Sequence, residues 1–407
     1  MAYTYTISGG SIGTSNQLTA KVWSKLLHEQ VQAKQIFKKW IGRDKGGEGS
    51  STASSVNMPV VEVTNLKKEK GDQVTVPMAR QLVTGGPNDT ASYNAGKVGD
   101  TQLVDAESTM SWLNLKVKVC HQRQGVRIED VHQYKARSPF DVFSAAKDML
   151  GESLAARLDD GLIFAIYSRY SPNVFRELGI TAAVPAENPN ILYGNDRSAL
   201  TTVTTADVIS TELIDRLHSW VVTESINPIR TELGDSYLLL VSPADVFQLR
   251  RDSFWSDAQI SGGVRGAENK MFSGNLGTWN GIYLFETPKI STALNHDGLT
   301  VTSNAITLSA ETSLPGGITA AKLRKNILLG ANAVGRAFAE ETYMATRKED
   351  DYGNIAGFAG GYVYGDARAD WFENADTGTD GTAHNQSSAI LYTYAPAAHS
   401  NISAVWS

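Results

Sequence analysis

The most informative segment of the chain is SPFDVFSAAKDMLGESLAARLDDGLIFAI, residues 138–166. Ser138, Pro139 and Asp141 form a helix start, because serine caps, proline suits the first turn and an acid there favours the helix dipole. Apolar residues then recur every four positions, at Leu150, Leu154, Leu158, Leu162 and Ile166. The pattern predicts one helix over 139–168, about 45 Å long at about 1.5 Å per residue, which is long for a globular domain.

Before this helix, residues 72–83 and 109–120 alternate apolar and polar side chains, which is the period of a strand. The intervening 84–108 is polar and contains four glycines and one proline. Such a long stretch without structure of its own is uncommon in a compact domain. We therefore predict a long hairpin whose tip has no core and is ordered by a partner.

The leading part of the chain has an apolar stripe among lysines. Residues 15–41 predict an amphipathic helix that stops at Gly42, followed by a Gly- and Ser-rich tether over 42–55. The stripe consists of Val22, Leu26, Ile36, Phe37 and Trp40. A tethered helix cannot bury its own stripe, so it must dock on the rest of the chain or on a neighbouring molecule.

The remainder predicts mixed helices and strands. Thr204 and Asp207 suggest a capping box opening a helix over 207–223, and Ser242 with Pro243 starts a helix over 243–251. The predicted strands are 237–241, 281–286, 327–329, 360–365 and 389–394. Between the last two, residues 373–388 predict an exposed loop.

Composition allows a large core and excludes some classes of protein. The chain has 407 residues, of which 42% are hydrophobic, enough for about two or three domains of about 150 residues each. Net charge is −6, with +6 in residues 1–137 and −12 in the rest. This asymmetry indicates either different partners at the two ends or merely solvated faces. The beginning lacks a signal-peptide pattern, and no stretch is apolar enough to span a membrane.

Patterns for chemistry are absent or incomplete. The one cysteine, Cys120, suits a reducing compartment and is predicted to be buried. The seven histidines form no His-x-x-x-His pair, and no P-loop is complete. Asp159 and Asp160 suit an acid–base pair in principle, but a solvated or salt-bridged helix face is the favoured interpretation. The sequence therefore predicts no catalytic residue, no cofactor and no metal site.

Several stretches, taken in order, resemble the major capsid proteins of tailed bacteriophages, specifically the family of the podovirus N-four. They are GDQVTVPMARQLVTGG (71–86), GVRIEDVHQYKARSPFDVFSAAKDMLGESLAARLDDGLIFAI (125–166), LLLVSPADVFQLRRDSFWSDAQ (238–259), NKMFSGNLGTWNGIYLFE (269–286), ILLGANAVGRAF (327–338) and DDYGNIAGFAGGYVYG (350–365). The resemblance implies an α+β chain with the Hong Kong 97-type (Johnson) capsid fold. The chain departs most from this family over 366–400.

The resemblance also implies a division of the chain, with an N-terminal arm, an extended β-hairpin loop, a long spine helix and an α/β axial lobe. The implied parts are an arm (1–57), the extended loop and its flanking strands (58–137), the spine helix and peripheral domain (138–205), the axial domain (206–335) and the return to the peripheral domain with closing β-strands (336–407).

The implied function is a structural one, self-assembly into the icosahedral shell that encloses phage double-stranded DNA, and not an enzymatic one. Implied partners are identical subunits in pentamers and hexamers, scaffold, portal and decoration proteins, and packaged DNA contacted without base reading, with no membrane. The implied location is the virion capsid, assembled in the host cytoplasm. The alternatives are another virion structural protein, such as a tail or filament component, or a cytoplasmic hydrolase.

Two sets of residues follow from this interpretation. The expected intersubunit contacts are Trp23, Phe37, Trp40, Gly85, Gly86, Pro87, Tyr93 and Lys97. The lysines that would face DNA are Lys21, Lys25, Lys34, Lys38 and Lys39, since phosphate contacts need only positive charge. Solvated lysines around a docking stripe are the favoured alternative for this second set.

Overall fold

A computed structural model describes most of the chain as two compact units. The described residues are 27–31, 33–43, 57–63, 73–79, 112–132, 142–179, 188–231, 234–262, 276–290, 292, 294–302, 305–310, 314, 316–346, 354–373 and 383–395. The first unit holds those within 1–39, 120–160 and 338–364, and the second unit holds the others.

The α-helices with defined bounds are α1 Val142–Ser168, α2 Pro172–Leu178, α3 Thr211–Thr223, α4 Pro243–Leu249 and α5 Ser253–Gly262. Residues 27–31, 33–34 and 131–132 are also helical. The strands are β1 Ile41–Arg43, β2 Val60–Val63, β3 Gln73–Ala79, β4 Trp112–Lys118, β5 Cys120–Ile128, β6 Ile191–Tyr193, β7 Ile229–Thr231, β8 Gly234–Val241, β9 Thr278–Trp279, β10 Ile282–Glu286, β11 Leu294–Thr302, β12 Ala305–Ala310, β13 Leu323–Leu329, β14 Val334–Thr346, β15 Ala356–Arg368, β16 Asp370–Glu373, β17 Ala383–Asn385 and β18 Ser388–Tyr394.

The first unit packs the N-terminal part of α1 against a sheet. β15 pairs antiparallel with β5, from Ala356 opposite Ile128 to Tyr364 opposite Cys120. Leu150, Leu154 and Leu158 are at most 2% exposed and share one core with aromatic residues of β15. Burying each such leucine contributes about 1.5–3 kcal/mol. The four-residue spacing therefore predicted the buried face of the helix correctly.

The second unit is built on a mixed sheet in the order β6-β18-β13-β8-β10-β9, with β7 on β8. β13 pairs antiparallel with β18 and β8, and β10 pairs parallel with β8. Residues of α3 and α4 share the core of this sheet, where Leu217, Leu239 and Leu249 are all fully buried. Ser242 caps α4 by accepting a hydrogen bond from the Asp245 amide at 3.2 Å. The strands and the helix start predicted for this region are confirmed.

Smaller sheets complete the second unit. β3, β4, β16 and β17 form one sheet in the order β17-β16-β4-β3, and β11 pairs with β12. β1 pairs parallel with β2, and β2 pairs parallel with the first residues of β14. Cys120, in the first unit, is buried as predicted. No helix within the described ranges is long and apolar enough to cross a membrane.

The predicted capping box does not open α3. The Asp207 carboxylate accepts a hydrogen bond from the Thr204 amide at 2.7 Å, but it also binds Arg197 at 3.1 Å. These contacts close a turn instead of starting a helix. α3 begins at Thr211, after Ser210 accepts a hydrogen bond from the Leu213 amide at 3.2 Å.

The leading helix is shorter than predicted. Its described helical residues end at 34, a 3-10 turn follows at Phe37–Trp40, and Gly42 lies in β1. The Ile36 amide donates to the Asp159 carboxylate at 2.9 Å, so it does not continue the helix. The tether predicted over 42–55 therefore starts no earlier than 44, and residues 44–55 lie outside the described part.

The loop predicted to be exposed over 373–388 is partly ordered and buried. β17 pairs with β16 at Phe372 opposite Ala383. Asn385 accepts hydrogen bonds from the amides of Ser387 and Ser388, both at 3.1 Å, and all three residues are buried. The polar sequence predicts exposure, but Asn385 and Ser388 are buried with hydrogen-bond partners within the fold. Residues 374–382 lie outside the described part.

Candidate assembly surfaces

The leading segment, by which we mean the described residues within 27–39, docks on α1 in the first unit. Leu27 and Val31 are at most 1% exposed in the shared core. Gly151 of α1 lies beside this contact, where a Cβ would be 3.5 Å from Leu27 Cδ1, an ordinary van der Waals distance. Phe37 is 1% exposed. Phe37, expected to contact another subunit, thus has almost no surface left to offer one, whereas Ile36 of the same stripe is 37% exposed.

Polar contacts fix the same segment. Gln30 Nε2 donates to Asp148 at 2.7 Å, and Lys34 Nζ lies 3.1 Å from Glu152. Exposed pairs of this kind contribute about 0–1 kcal/mol. The strongest contact is the one from Ile36 to Asp159, because Asp159 is only 2% exposed. Asp159 is therefore not on a solvated face, whereas Asp160 is exposed, and the salt-bridged alternative stays a prediction.

The lysines expected to face DNA have different surroundings. Lys34 is engaged with Glu152, whereas Lys38 and Lys39 are exposed. Lys21 and Lys25 lie outside the described residues, as does Trp23. Contact with DNA therefore stays a prediction. Among the described residues, Lys38 and Lys39 are its main candidates.

Trp40, in the second unit, keeps part of its surface. Its ring meets the ring of Phe285 edge-on, with centroids 4.5 Å apart. Tyr283 lies two residues earlier on the same face of β10 and is 37% exposed. Aromatic pairs in this geometry contribute about 0.5–1.5 kcal/mol beyond their area. An intersubunit role for Trp40 stays a prediction.

The two strands predicted to carry the long excursion pair as expected. β3 and β4 are antiparallel, from Gln73 opposite Lys118 to Ala79 opposite Trp112. Leu113, Leu115 and Val117 are at most 6% exposed, in the predicted alternation. Five residues expected to contact another subunit lie outside the described part, namely Gly85, Gly86, Pro87, Tyr93 and Lys97. The role of the excursion tip stays a prediction.

Two buried ion pairs lie near this hairpin in the second unit. Arg336 donates two hydrogen bonds to Asp366, at 2.6 and 3.0 Å, and both side chains are at most 1% exposed. Arg368 donates to Asp370 at 2.6 Å and to the Ile166 carbonyl at 3.1 Å. Removing one partner of such a pair leaves an uncompensated buried charge, which costs about 3–5 kcal/mol. These pairs therefore hold β14, β15 and the end of α1 in one arrangement.

The second unit also exposes a patch that sequence reasoning missed. We call it the lobe patch and define it as Phe247, Arg250, Arg251 and Phe254. Phe247 and Phe254 are 44% and 73% exposed, and the Arg251 guanidinium lies 5.5 Å from the centre of the Phe247 ring. Exposed aromatic side chains beside arginines are typical of protein–protein interfaces.

The signal for the lobe patch was present in the spacing of the sequence. Val246, Leu249 and Trp255 face the core and are at most 3% exposed. Phe247 and Phe254 are each adjacent to one of these core residues, so on a helix they point away from the core. Because phenylalanine is hydrophobic, the sequence alone did not distinguish these two exposed positions from their buried neighbours.

The described carboxylates with shifted pKa values have structural partners. Burial raises the pKa of Asp245, and hydrogen bonds from Ser242 and Thr393 only partly oppose this. Both hydroxyls donate to Asp245, at 2.6 and 2.7 Å. Within the described ranges, no group of His, Cys, Asp and Glu side chains is arranged to hold a metal ion.

Comparison with known proteins agrees with this geometry. Residues 11–397 match the family described as phage capsid protein. The major capsid protein of Pseudomonas phage KPP25 is 23% identical over 293 residues, which cover 67% of this chain and 72% of that protein.

Solved capsids have the same fold. The capsid of Ralstonia phage GP4 is 18% identical with a TM-score of 0.59, over 90% of this chain and 93% of that one. The capsid of cyanophage Pam1 is also 18% identical, with a TM-score of 0.64 over 89% of this chain and 92% of that one.

The fold and the surfaces thus define a structural protein of the α+β, Hong Kong 97-type capsid class, as the sequence predicted. The chain belongs to the phage capsid protein family. The prediction of a phage capsid protein is confirmed. The domain bounds inferred from the resemblance stay predictions.

Proposed function

We propose that this chain is the major subunit of an icosahedral phage shell, assembled from identical copies in pentamers and hexamers around double-stranded DNA. The observation that carries the proposal is the lobe patch, an exposed aromatic and basic surface on a subunit of a capsid family. A phenylalanine that is 73% exposed, such as Phe254, is stabilised when an interface removes it from water.

The charge distribution supports association between copies. The lobe patch adds two arginines to the surface of a part of the chain, 138–407, whose net charge is −12. Opposite charges steer subunits together and fix their orientation more than they add affinity. The lobe patch of one copy therefore meets an acidic surface of the next copy.

The remaining partners follow from the same role. A scaffold, a portal and decoration proteins are proposed to contact the shell, which forms in the host cytoplasm. Exposed Lys38 and Lys39 contact packaged DNA through phosphates, without base reading. The subunit performs no catalysis, and its work is done by many repeated interfaces.

The test is assembly of the purified full chain, alone and with its scaffold, followed by sedimentation and electron microscopy. Closed shells or capsomers are expected. A chain that stays monomeric under every such condition would contradict the proposal, and tubes or filaments would favour the tail or filament alternative.

Variants connect the test to the lobe patch. Phe247→Ala with Phe254→Ala is expected to leave melting unchanged and to prevent assembly, because both side chains are exposed. Trp255→Ala is the matched comparison, since Trp255 is 3% exposed in the core. It should destabilise the chain by about 3–5 kcal/mol. Normal shells from the double variant would show that assembly does not need the lobe patch.

A further inference from the structure

In the second unit, the strand β4 of the β3–β4 hairpin lies against two glycines that permit close contact. We call this place the hairpin root and define it as residues 115–119 together with Gly335 and Gly365. A Cβ on Gly335 would lie 3.3 Å from Val117 Cγ2 and 3.4 Å from Leu115 Cδ2. The strand β4 therefore lies on β14 with little room for any additional atom.

Contact at Gly365 is tighter and involves only backbone. A Cβ there would lie 1.8 Å from the Lys118 carbonyl oxygen and 3.2 Å from Val119 Cα. Carbon atoms in packed interiors approach no closer than about 3.5 Å without strain. No rotation of a side chain can relieve this overlap, so any residue other than glycine must displace the end of β4.

The surroundings keep both glycines in place. Gly335 and Gly365 each precede a member of the buried pair Arg336–Asp366, whose side chains are at most 1% exposed. A buried, doubly hydrogen-bonded pair has one favourable geometry. The two glycines are consequently held in a fixed relation to each other.

A second contact holds β4 farther along its length. β16 pairs with β4 at Phe372 opposite Asn114. The Arg169 guanidinium lies 4.1 Å from the centre of the Phe372 ring, and Phe372 is 5% exposed. This pairing, one residue from the hairpin root, joins β16 to β4 and makes the described hairpin a stiff element.

We propose that Gly335 and Gly365 are positioning residues that set the direction in which the hairpin leaves its subunit, and so determine where a second copy of the chain meets it. This inference rests on the proposed function. A strand of seven residues is about 24 Å long, so a tilt of about 10° at the root moves its end by about 4 Å. Interfaces packed as densely as protein interiors do not tolerate such a displacement.

The decisive experiment is a size exchange at the root, performed on the full chain. Gly335→Ala is expected to melt near the wild-type temperature and to lower the yield of shells by about tenfold or more. Val117→Ala removes the atom that an alanine at 335 would meet. The double variant should therefore recover most of the shell yield, whereas Val117→Ala alone should melt lower and still assemble.

Gly365→Ala and Gly316→Ala form a second, matched pair. No atom lies within 4 Å of a Cβ placed on Gly316, so this variant should assemble normally. Gly365→Ala should form no regular shells, and if it fails to fold, the exchange at 335 and 117 decides the question.

The outcomes separate the two proposals. If the wild-type chain forms no shells, the proposed function fails. If the wild type assembles and Gly335→Ala assembles equally well, or the double variant does no better than Gly335→Ala, the positioning role is overturned while the proposed function stands.

Discussion

At the scale of single residues, Asp207 shows how a polar side chain can organise a turn. Its buried carboxylate accepts hydrogen bonds from Asn195 at 2.7 Å, Arg197 at 3.1 Å and the Thr204 amide at 2.7 Å. Burial alone raises the pKa of this carboxyl, but the Thr204 amide, Arg197 and Asn195 together bring the pKa below its ordinary value of 3.8. The ionised form is therefore the one that the folded chain stabilises.

This shift predicts how stability depends on pH. Because the pKa of Asp207 is lowered by folding, its contribution is fully present above 3.8 and is lost as the pH falls below that value through the folded-state pKa. Urea unfolding between pH 7 and pH 3 is the measurement. Asp207→Asn should lack this acid-side loss, while exposed Asp196→Asn should retain it. Equal acid-side loss in the Asp207 variant and the wild type would contradict the assignment.

At the scale of elements, the leading segment is attached to α1 by a few contacts, of which Asp159 is the most buried. The carboxylate accepts the Ile36 amide at 2.9 Å, where the helix ends. Loss of such a half-buried hydrogen bond costs about 0.5–1.5 kcal/mol. The stability of this docking therefore depends on one carboxylate more than on the exposed contacts at Gln30 and Lys34.

Substitution of two neighbouring aspartates tests this dependence. Asp159→Ala should open the segment more often and speed cleavage by trypsin after Lys38 and Lys39 by about tenfold or more, since proteolysis follows local opening. Asp160→Ala is the control, because Asp160 is exposed. The cleavage sites are identified by mass spectrometry of timed digests. Equal rates in the two variants would show that Asp159 does not hold the segment.

At the scale of the whole molecule, each unit has its own hydrophobic core, one around α1 and one around β8 and β13. The excursion 84–108 is connected to the second unit through β3 and β4, whose pairing ends at Ala79 and Trp112. Folding of the units therefore does not depend on the excursion, whereas the proposed assembly does.

Deletion of residues 85–106 should separate folding from assembly. The shortened chain is expected to keep the melting temperature of the wild type within a few degrees, because the residues described in both cores all lie outside the deletion. Sedimentation should show subunits or small oligomers and no shells. Replacement of the same residues by a Gly/Ser linker of equal length controls for strain. Normal shells from the deletion would show that the excursion is not an assembly element.

The sequence predicted those features of the fold in which a residue and its partners lie close together in the chain. The apolar period of α1 and the alternation in β4 were sufficient, because helix and strand faces repeat at fixed spacing. The cap at Ser242 was also local. The leading helix was predicted too long because Asp159, which ends it, is more than 100 positions away in the chain.

The candidate surfaces divide in the same way. The excursion over 84–108 stays a prediction based on its glycines and its polarity. The lobe patch was missed, since the sequence alone does not distinguish the exposed Phe247 from the buried Val246. Only the packing of α4 against β8 shows which of them is covered. Phe37 was assigned to an interface although it is buried within the chain.

The capsid class, the long helix, the paired strands of the hairpin and the order of the elements could be predicted from the residues, because these follow from local periodicity and from the succession of stretches. The folded structure was needed to show which polar groups are buried, such as Asp159, Asp207 and Arg336, and which glycines lie under a crossing strand. Burial and close contact join residues far apart in the chain, and local periodicity carries no information about such pairs.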